Sequence, residues 1–243
     1  MKAKRRQELK QDEFVDTLVW LWETFKKNQQ QIVTGVVVAL VLVAVGTYVV
    51  PRWRHANDQA WATLSSLDQT MMASRYGMGG KPGAVEAGEI EKYRKLAADY
   101  PRSTVAPIAL YKAAQLLHET NKLDEALKIL NELLSSYPKS EIAPAAEAAK
   151  ASVLEDQGKY AEARGLYEKV GESGPKYLAP ECWLNAGRCA ELAKDNAEAK
   201  TLYEKAKSLA AGTPWEQLAQ QRIDGLGGQK PASSPAPKPE KKG

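Results

Sequence analysis

The sequence predicts an all-α protein: an N-terminal transmembrane helix followed by an α-solenoid of antiparallel helix hairpins. Two observations carry that prediction. Residues 32–50, IVTGVVVALVLVAVGTYVV, run without a charge. From Pro107 onward a two-helix phrase returns every 36 or 37 residues.

The 19 uncharged residues would make a helix of about 28 Å at a rise of about 1.5 Å per residue, close to the hydrocarbon thickness of a bilayer. Twelve of the 19 are Val, Ile or Thr, residues that favour strands in water. In lipid a lone strand leaves its backbone groups unsatisfied, whereas a helix bonds them internally. The Val, Leu and Ile side chains favour insertion by roughly 4 to 7 kcal/mol. Seven Lys/Arg precede the run and only Arg52 and Arg54 follow closely, which predicts a cytoplasmic N-terminus and a large domain on the far side. Tyr48 and Trp53 suit the outer interface. A cleaved signal peptide is disfavoured, because the only Ala-x-Ala, Ala60 to Ala62, lies ten residues beyond the run. The segment is expected to stay as a signal anchor. At 100° per residue, Gly35, Ala39, Leu42 and Gly46 fall within about 60° of one another. This small-residue face would let the span pack against another membrane helix, including a second copy of itself.

Residues 1–31 form a cytoplasmic arm. It opens with Lys2, Lys4, Arg5, Arg6 and Lys10, then places Phe14, Leu18, Leu21, Trp22 and Phe25 on one helical stripe opposite Asp16, Glu23 and Lys27. Three readings fit such a helix: it lies at the membrane interface, docks a cytosolic partner, or simply leads into the span.

Residues 51–226 carry 23 Lys/Arg against 24 Asp/Glu, so the domain beyond the span is near neutral and shows no electrostatic footprint for nucleic acid. Residues 227–243, GGQKPASSPAPKPEKKG, lack apolar periodicity and are expected to be disordered. Cys182 and Cys189 are seven residues apart on one predicted helix, about 10.5 Å between Cα atoms, too far for an intrachain disulfide. Burial in helix packing is their expected role. The two histidines, His55 and His118, stand apart, and no phosphate loop, metal-ligand spacing or carboxylate pair is present in the sequence. No catalytic residue, metal or cofactor is predicted.

Three Ala-Pro pairs open apolar runs, at Pro107 (APIALYKAAQLL), Pro144 (APAAEAAKASVL) and Pro180 (APECWLNAGRCA). A second helix follows each. In it Ala126, Ala163 and Ala199 recur, with Leu130, Tyr167 and Tyr203 four residues later; Pro138 and Pro175 close the first two. Pro at the first helical position opens all three hairpins, and Pro after the second helix closes the first two. Tyr93 and Pro101 stand 37 residues before Leu130 and Pro138, marking an earlier, degenerate repeat. Its helices should be Asp58 to Arg75 and Glu86 to Asp99, separated by an insertion at Tyr76 to Gly83. Pro214 to Leu226 reads as a capping helix.

This pattern resembles the tetratricopeptide repeat family with its period lengthened by two or three residues. The small residue, the large apolar one and the Pro match the family's second helix in two repeats, and the third has Ala211 where Pro is expected. In the first helix the best match is Trp183 with Gly187. The resemblance implies a concave surface built by the first helices. Its ligand-facing positions become Tyr111, Gln115 and His118; Ala148, Ser152 and Glu155; Leu184, Arg188 and Glu191. That set lacks the Lys and Asn array that clamps a peptide carboxylate, so recognition of peptide C-termini is not expected. Tyr111 and Arg188 are the foremost candidates, since aromatic and Arg side chains dominate hot spots.

A short arm, one anchor and an extracytoplasmic repeat domain are similar in arrangement to the YfgM-type bacterial inner-membrane proteins. Those are ancillary to the Sec translocon and work with periplasmic chaperones. The resemblance implies a single-pass inner-membrane scaffold or chaperone-like adaptor whose partners are the translocon, periplasmic chaperones or emerging polypeptides. The phrase YPKS-x-x-AP, Tyr137 to Pro144, is similar to repeats of envelope-assembly and division-coordinating proteins and implies the alternative of a structural organiser.

Overall fold

The computed structural model describes residues 17–20, 22, 24–76 and 87–226. The basic run at residues 1–11, Phe14, Asp16, Leu21 and Glu23 of the amphipathic stripe, the insertion from residue 77 to Gly83 and the segment from Gly227 lie outside them. Among the described residues there are helices and turns and no strand. The chain divides into two compact units, Met1–Ala56 and Asn57–Gly243.

In the first unit, helical residues 17–20 and 24–27 lead to Asn28, whose φ of −113° and ψ of 20° leave the helical region. Helix α1, Gln29–Ala44, follows and buries none of its residues. A π-helical turn, Val45–Val49, then widens the helix before α2, Val50–Tyr76, begins. The helical run that starts at Gln29 is long and apolar enough to cross a membrane. Its hydroxyls are satisfied within the helix: Thr34 Oγ1 donates to the Gln30 carbonyl at 2.8 Å and Thr47 Oγ1 to the Val43 carbonyl at 2.7 Å. That is what hydrocarbon surroundings demand of a polar side chain. Gly35, Ala39 and Leu42 lie in regular α-helix, while Gly46 lies in the π turn, whose wider winding moves it off the 100° register.

In the second unit α2 is followed by α3 (Ala87–Asp99), α4 (Val105–Glu119), α5 (Leu123–Ser136), α6 (Ala143–Asp156), α7 (Tyr160–Ser173), α8 (Ala179–Leu192), α9 (Asn196–Leu209) and α10 (Pro214–Gly225). From α3 to α10 each helix packs on the next. The hairpins α4/α5, α6/α7 and α8/α9 are the three repeats, and α10 packs on α9 as a cap. The degenerate repeat is present: Ala60 and Leu64 of α2 share a core with Ile90, Tyr93 and Leu96 of α3. The Tyr93 hydroxyl donates to Asp68 at 2.6 Å.

The helix starts differ in detail from the proline-first pattern. Helix α4 begins two residues before Pro107, and α6 and α8 begin one residue before Pro144 and Pro180. Any position in the first turn tolerates Pro, because those N–H groups have no intrahelical partner. At α4 the Ser103 Oγ takes the Ala106 N–H at 3.2 Å and donates to the Tyr100 carbonyl at 2.8 Å. The Tyr-Pro phrase has a packing role, since the Tyr137 hydroxyl donates to the Pro101 carbonyl of the preceding repeat at 2.9 Å.

One backbone device recurs between the two helices of the hairpins α4/α5, α6/α7 and α8/α9. Asn121, Gly158 and Lys194 are left-handed, at φ 58°, 75° and 67°. The next residue donates back across the helix end, Lys122 to Leu117, Lys159 to Leu154 and Asp195 to Ala190, at 2.8, 2.9 and 2.9 Å. These are glycine-type helix terminations, natural for Gly and Asn but strained for Lys. Lys194→Gly is therefore expected to stabilise the domain by about 1 kcal/mol, seen as a higher urea midpoint, whereas Asn121→Gly should change it little.

The recurring small and large residues form the core. Ala126, Ala163 and Ala199 are fully buried, as are Leu130 and Tyr203, with Tyr167 at 2 % exposure. Two apolar clusters meet within α6, which gives Ala146 and Val153 to the first and Ala151 and Leu154 to the second.

Candidate functional site

The positions nominated for partner contact come from α4, α6 and α8, the first helix of each repeat, and the structure distributes them into three kinds of environment. Gln115 is exposed. Tyr111, His118, Ala148, Ser152, Arg188 and Glu191 are half-buried. Leu184 and Glu155 are buried, at 6 % and 9 % exposure. Leu184 belongs to the second apolar cluster, so it fills space between helices.

Much of the polar row is paired within the protein. His118 Nε2 lies 2.5 Å from Asp156 Oδ2, joining α4 to α6. Arg188 of α8 grips Glu155 of α6 with two parallel bonds, Nε to Oε1 at 2.6 Å and Nη2 to Oε2 at 2.7 Å. Burial works against the guanidinium charge, but the hydrogen bonds and charge of Glu155 outweigh it and hold the Arg188 pKa above its usual value. The Glu191 carboxylate accepts from the Tyr203 hydroxyl at 2.7 Å, and the Tyr167 hydroxyl reaches Glu155 at 3.5 Å. Burial, then these neighbouring carboxylates, raise both phenol pKa values. The signal for the two Tyr–Glu pairs was a twelve-residue spacing in consecutive repeats.

Tyr111 offers a different surface. Burial raises its phenol pKa first, and Glu181 and Tyr177 add to the rise, which brings the start of α8 into its electrostatic neighbourhood. Tyr177 is 75 % exposed. Neither Tyr177, which precedes Pro180, nor Glu181, which follows it directly, is among the nine ligand-facing residues that the resemblance implies. Ala148, the counterpart of Tyr111 on α6, is a small residue packed against the second cluster. Tyr111 thus stands half-buried, with the Glu181 carboxylate and the exposed Tyr177 in its electrostatic neighbourhood. Among the described residues no His, Cys, Asp and Glu are grouped to hold a metal ion.

Close packing in the third repeat explains its motif residues. A Cβ on Gly187 would stand 2.6 Å from the Tyr203 ring, and one on Gly171 would stand 2.8 Å from Trp183. The Lys205 ammonium sits 4.2 Å above the Trp183 ring. Cys182 and Cys189 are free and buried, at 2 % and 0 % exposure. Burial first, with Glu181 and Glu155 respectively next, pushes both thiols up to about 12. Because their ordinary value is about 9, the unfolded chain sheds these protons while the folded chain keeps them, so stability should fall as pH rises from about 9 toward 12. Urea midpoints should fall less steeply across that range in the Cys182→Ala, Cys189→Ala variant, with the raised Tyr167 and Tyr203 phenols supplying the fall that remains above about 10.

Stacked two-helix units with a row of first helices define a helix-hairpin repeat protein of the protein-binding class. A family model described as a tetratricopeptide repeat-like domain matches residues 22–228, and the chain belongs to that family. The matched stretch includes the apolar helix as well as the repeats. No curated protein matches the chain.

Proposed function

We propose that this chain is a single-pass scaffold of the bacterial inner membrane, its N-terminus cytoplasmic, whose repeat domain holds protein partners at the extracytoplasmic face. The observation that carries the reading is the union, inside one family match, of an apolar helix long enough to cross a membrane and a domain of stacked helix hairpins. The excess of Lys/Arg before the apolar run supports the orientation. Tyr111, Tyr177 and Gln115 present the surface for contact; His118, Ser152, Glu155, Arg188 and Glu191 hold its shape and add polar rim contacts.

The partners are translocon subunits, periplasmic chaperones or emerging polypeptides, and the role is chaperone-like adaptation at the membrane. Crosslinking in native membranes followed by identification of the adducts is the test. Translocon or chaperone adducts are the expected result, and their absence overturns that role. Adducts confined to envelope-assembly or division proteins would instead favour a structural organiser.

A further inference from the structure

The short helical stretch before the apolar run displays apolar residues that no described residue of its own unit covers: Leu18 is 49 % exposed, Trp20 64 %, Trp22 61 % and Phe25 41 %. Trp22 and Phe25 stack on each other, ring centroids 6.4 Å apart and planes at 16°, and the Lys26 ammonium lies 5.5 Å from the Trp22 ring. At 100° per residue Leu18, Trp22 and Phe25 share one face, Lys26 flanks it, and Trp20 and Lys27 lie opposite. The stretch is an element distinct from the span. Asn28 leaves helical geometry between them, and its side-chain amide donates to the Thr24 carbonyl at 3.2 Å, closing the end of the short helix.

The other end of the apolar run carries a matching device. Arg52 lies 5.8 Å from the Tyr48 ring and its Nη1 donates to the Tyr48 hydroxyl at 3.2 Å, with Trp53 46 % exposed beside it. Asn28 to Arg52 covers about 36 Å at about 1.5 Å per residue, which falls between the thickness of the hydrocarbon core and that of the whole bilayer. A bilayer centred on the apolar run would therefore place each end of the run, with the cation–aromatic pair beside it, near the headgroups, where aromatic rings concentrate and cations meet phosphate.

We propose that the helical stretch of residues 17–20 and 24–27 binds the lipid headgroup layer of the membrane that the span enters. It lies along that surface with Leu18, Trp22 and Phe25 toward the acyl chains, Lys26 at anionic phosphates, and Trp20 and Lys27 toward water. The occupant of this face is lipid, because the face is joined to the span through the single break at Asn28 and the cation–aromatic pattern repeats at the opposite leaflet. The proposal rests on the membrane reading of the apolar run.

Site-directed spin labelling of the full chain in vesicles of phosphatidylcholine and phosphatidylglycerol tests it. Single cysteines replace Leu18, Trp20, Phe25, Lys27 or Val37; the two native thiols are buried. The expected result is loss of access to an aqueous nickel chelate at Leu18→Cys and Phe25→Cys, full access at Trp20→Cys and Lys27→Cys, and oxygen access without nickel access at Val37→Cys. Equal nickel access at all four arm positions, with Val37→Cys still in hydrocarbon, overturns the proposal and leaves the span intact. Loss of both oxygen and nickel access at Leu18→Cys and Phe25→Cys marks docking on protein and also overturns it. Nickel access at Val37→Cys overturns the membrane reading, and the proposal with it.

Discussion

Arg188→Ala is expected to destabilise the repeat domain by about 3 kcal/mol, read as a lower urea midpoint. The variant strands Glu155, whose side chain is 8 % exposed, without the two bonds that compensate its charge. The Tyr167 hydroxyl at 3.5 Å is too distant to replace them. Removing one partner of a buried ion pair costs about 3–5 kcal/mol, and the lower end applies because the Arg188 side chain is itself 39 % exposed, so water already shares its charge. Replacing both partners, Glu155→Met with Arg188→Met, should recover most of the loss, since no charge is left stranded. The pair ties α6 directly to α8, first helix to first helix, so the double variant should also loosen the face while restoring stability. Partner capture and stability would then separate.

The second large effect is at Gly187. Ala is the better helix former by about 1 kcal/mol, yet Gly187→Ala should be net destabilising by about 1–3 kcal/mol. Its Cβ would stand 2.6 Å from Cδ1 and Cε1 of Tyr203, a fully buried ring whose hydroxyl is held by Glu191 at 2.7 Å. The ring has no route of escape without breaking that bond. Gly165→Ala is the control: the same chemistry on exposed helix, with nothing within 4 Å of the new Cβ, should stabilise by up to about 1 kcal/mol.

The helices and their pairing were legible because each repeat is a local unit whose small and large residues return at a fixed interval. Ala126, Ala163 and Ala199 needed no long-range knowledge to be recognised as packing positions, and all three are fully buried. Even the degenerate repeat could be read, from Tyr93 and Pro101 alone. The nominated face was legible only as a row of positions. Periodicity says which residues share a side of a helix, but not that Arg188 turns back 33 residues to Glu155, nor that Leu184 is drawn into the interior. Those outcomes depend on the gap between neighbouring repeats, which a one-residue change of spacing, 37 then 36, already alters. The π turn at Val45–Val49 had no signal either, since residues compatible with it occur throughout the run.

The most direct measurement is site-specific photocrosslinking in native membranes, with the photoreactive residue at Gln115 on the first-helix face or at Lys128, exposed on the second helix of the same repeat. A protein-holding face predicts discrete polypeptide adducts from position 115 and few or none from position 128. Equal adducts from both positions, or none from 115, would contradict it.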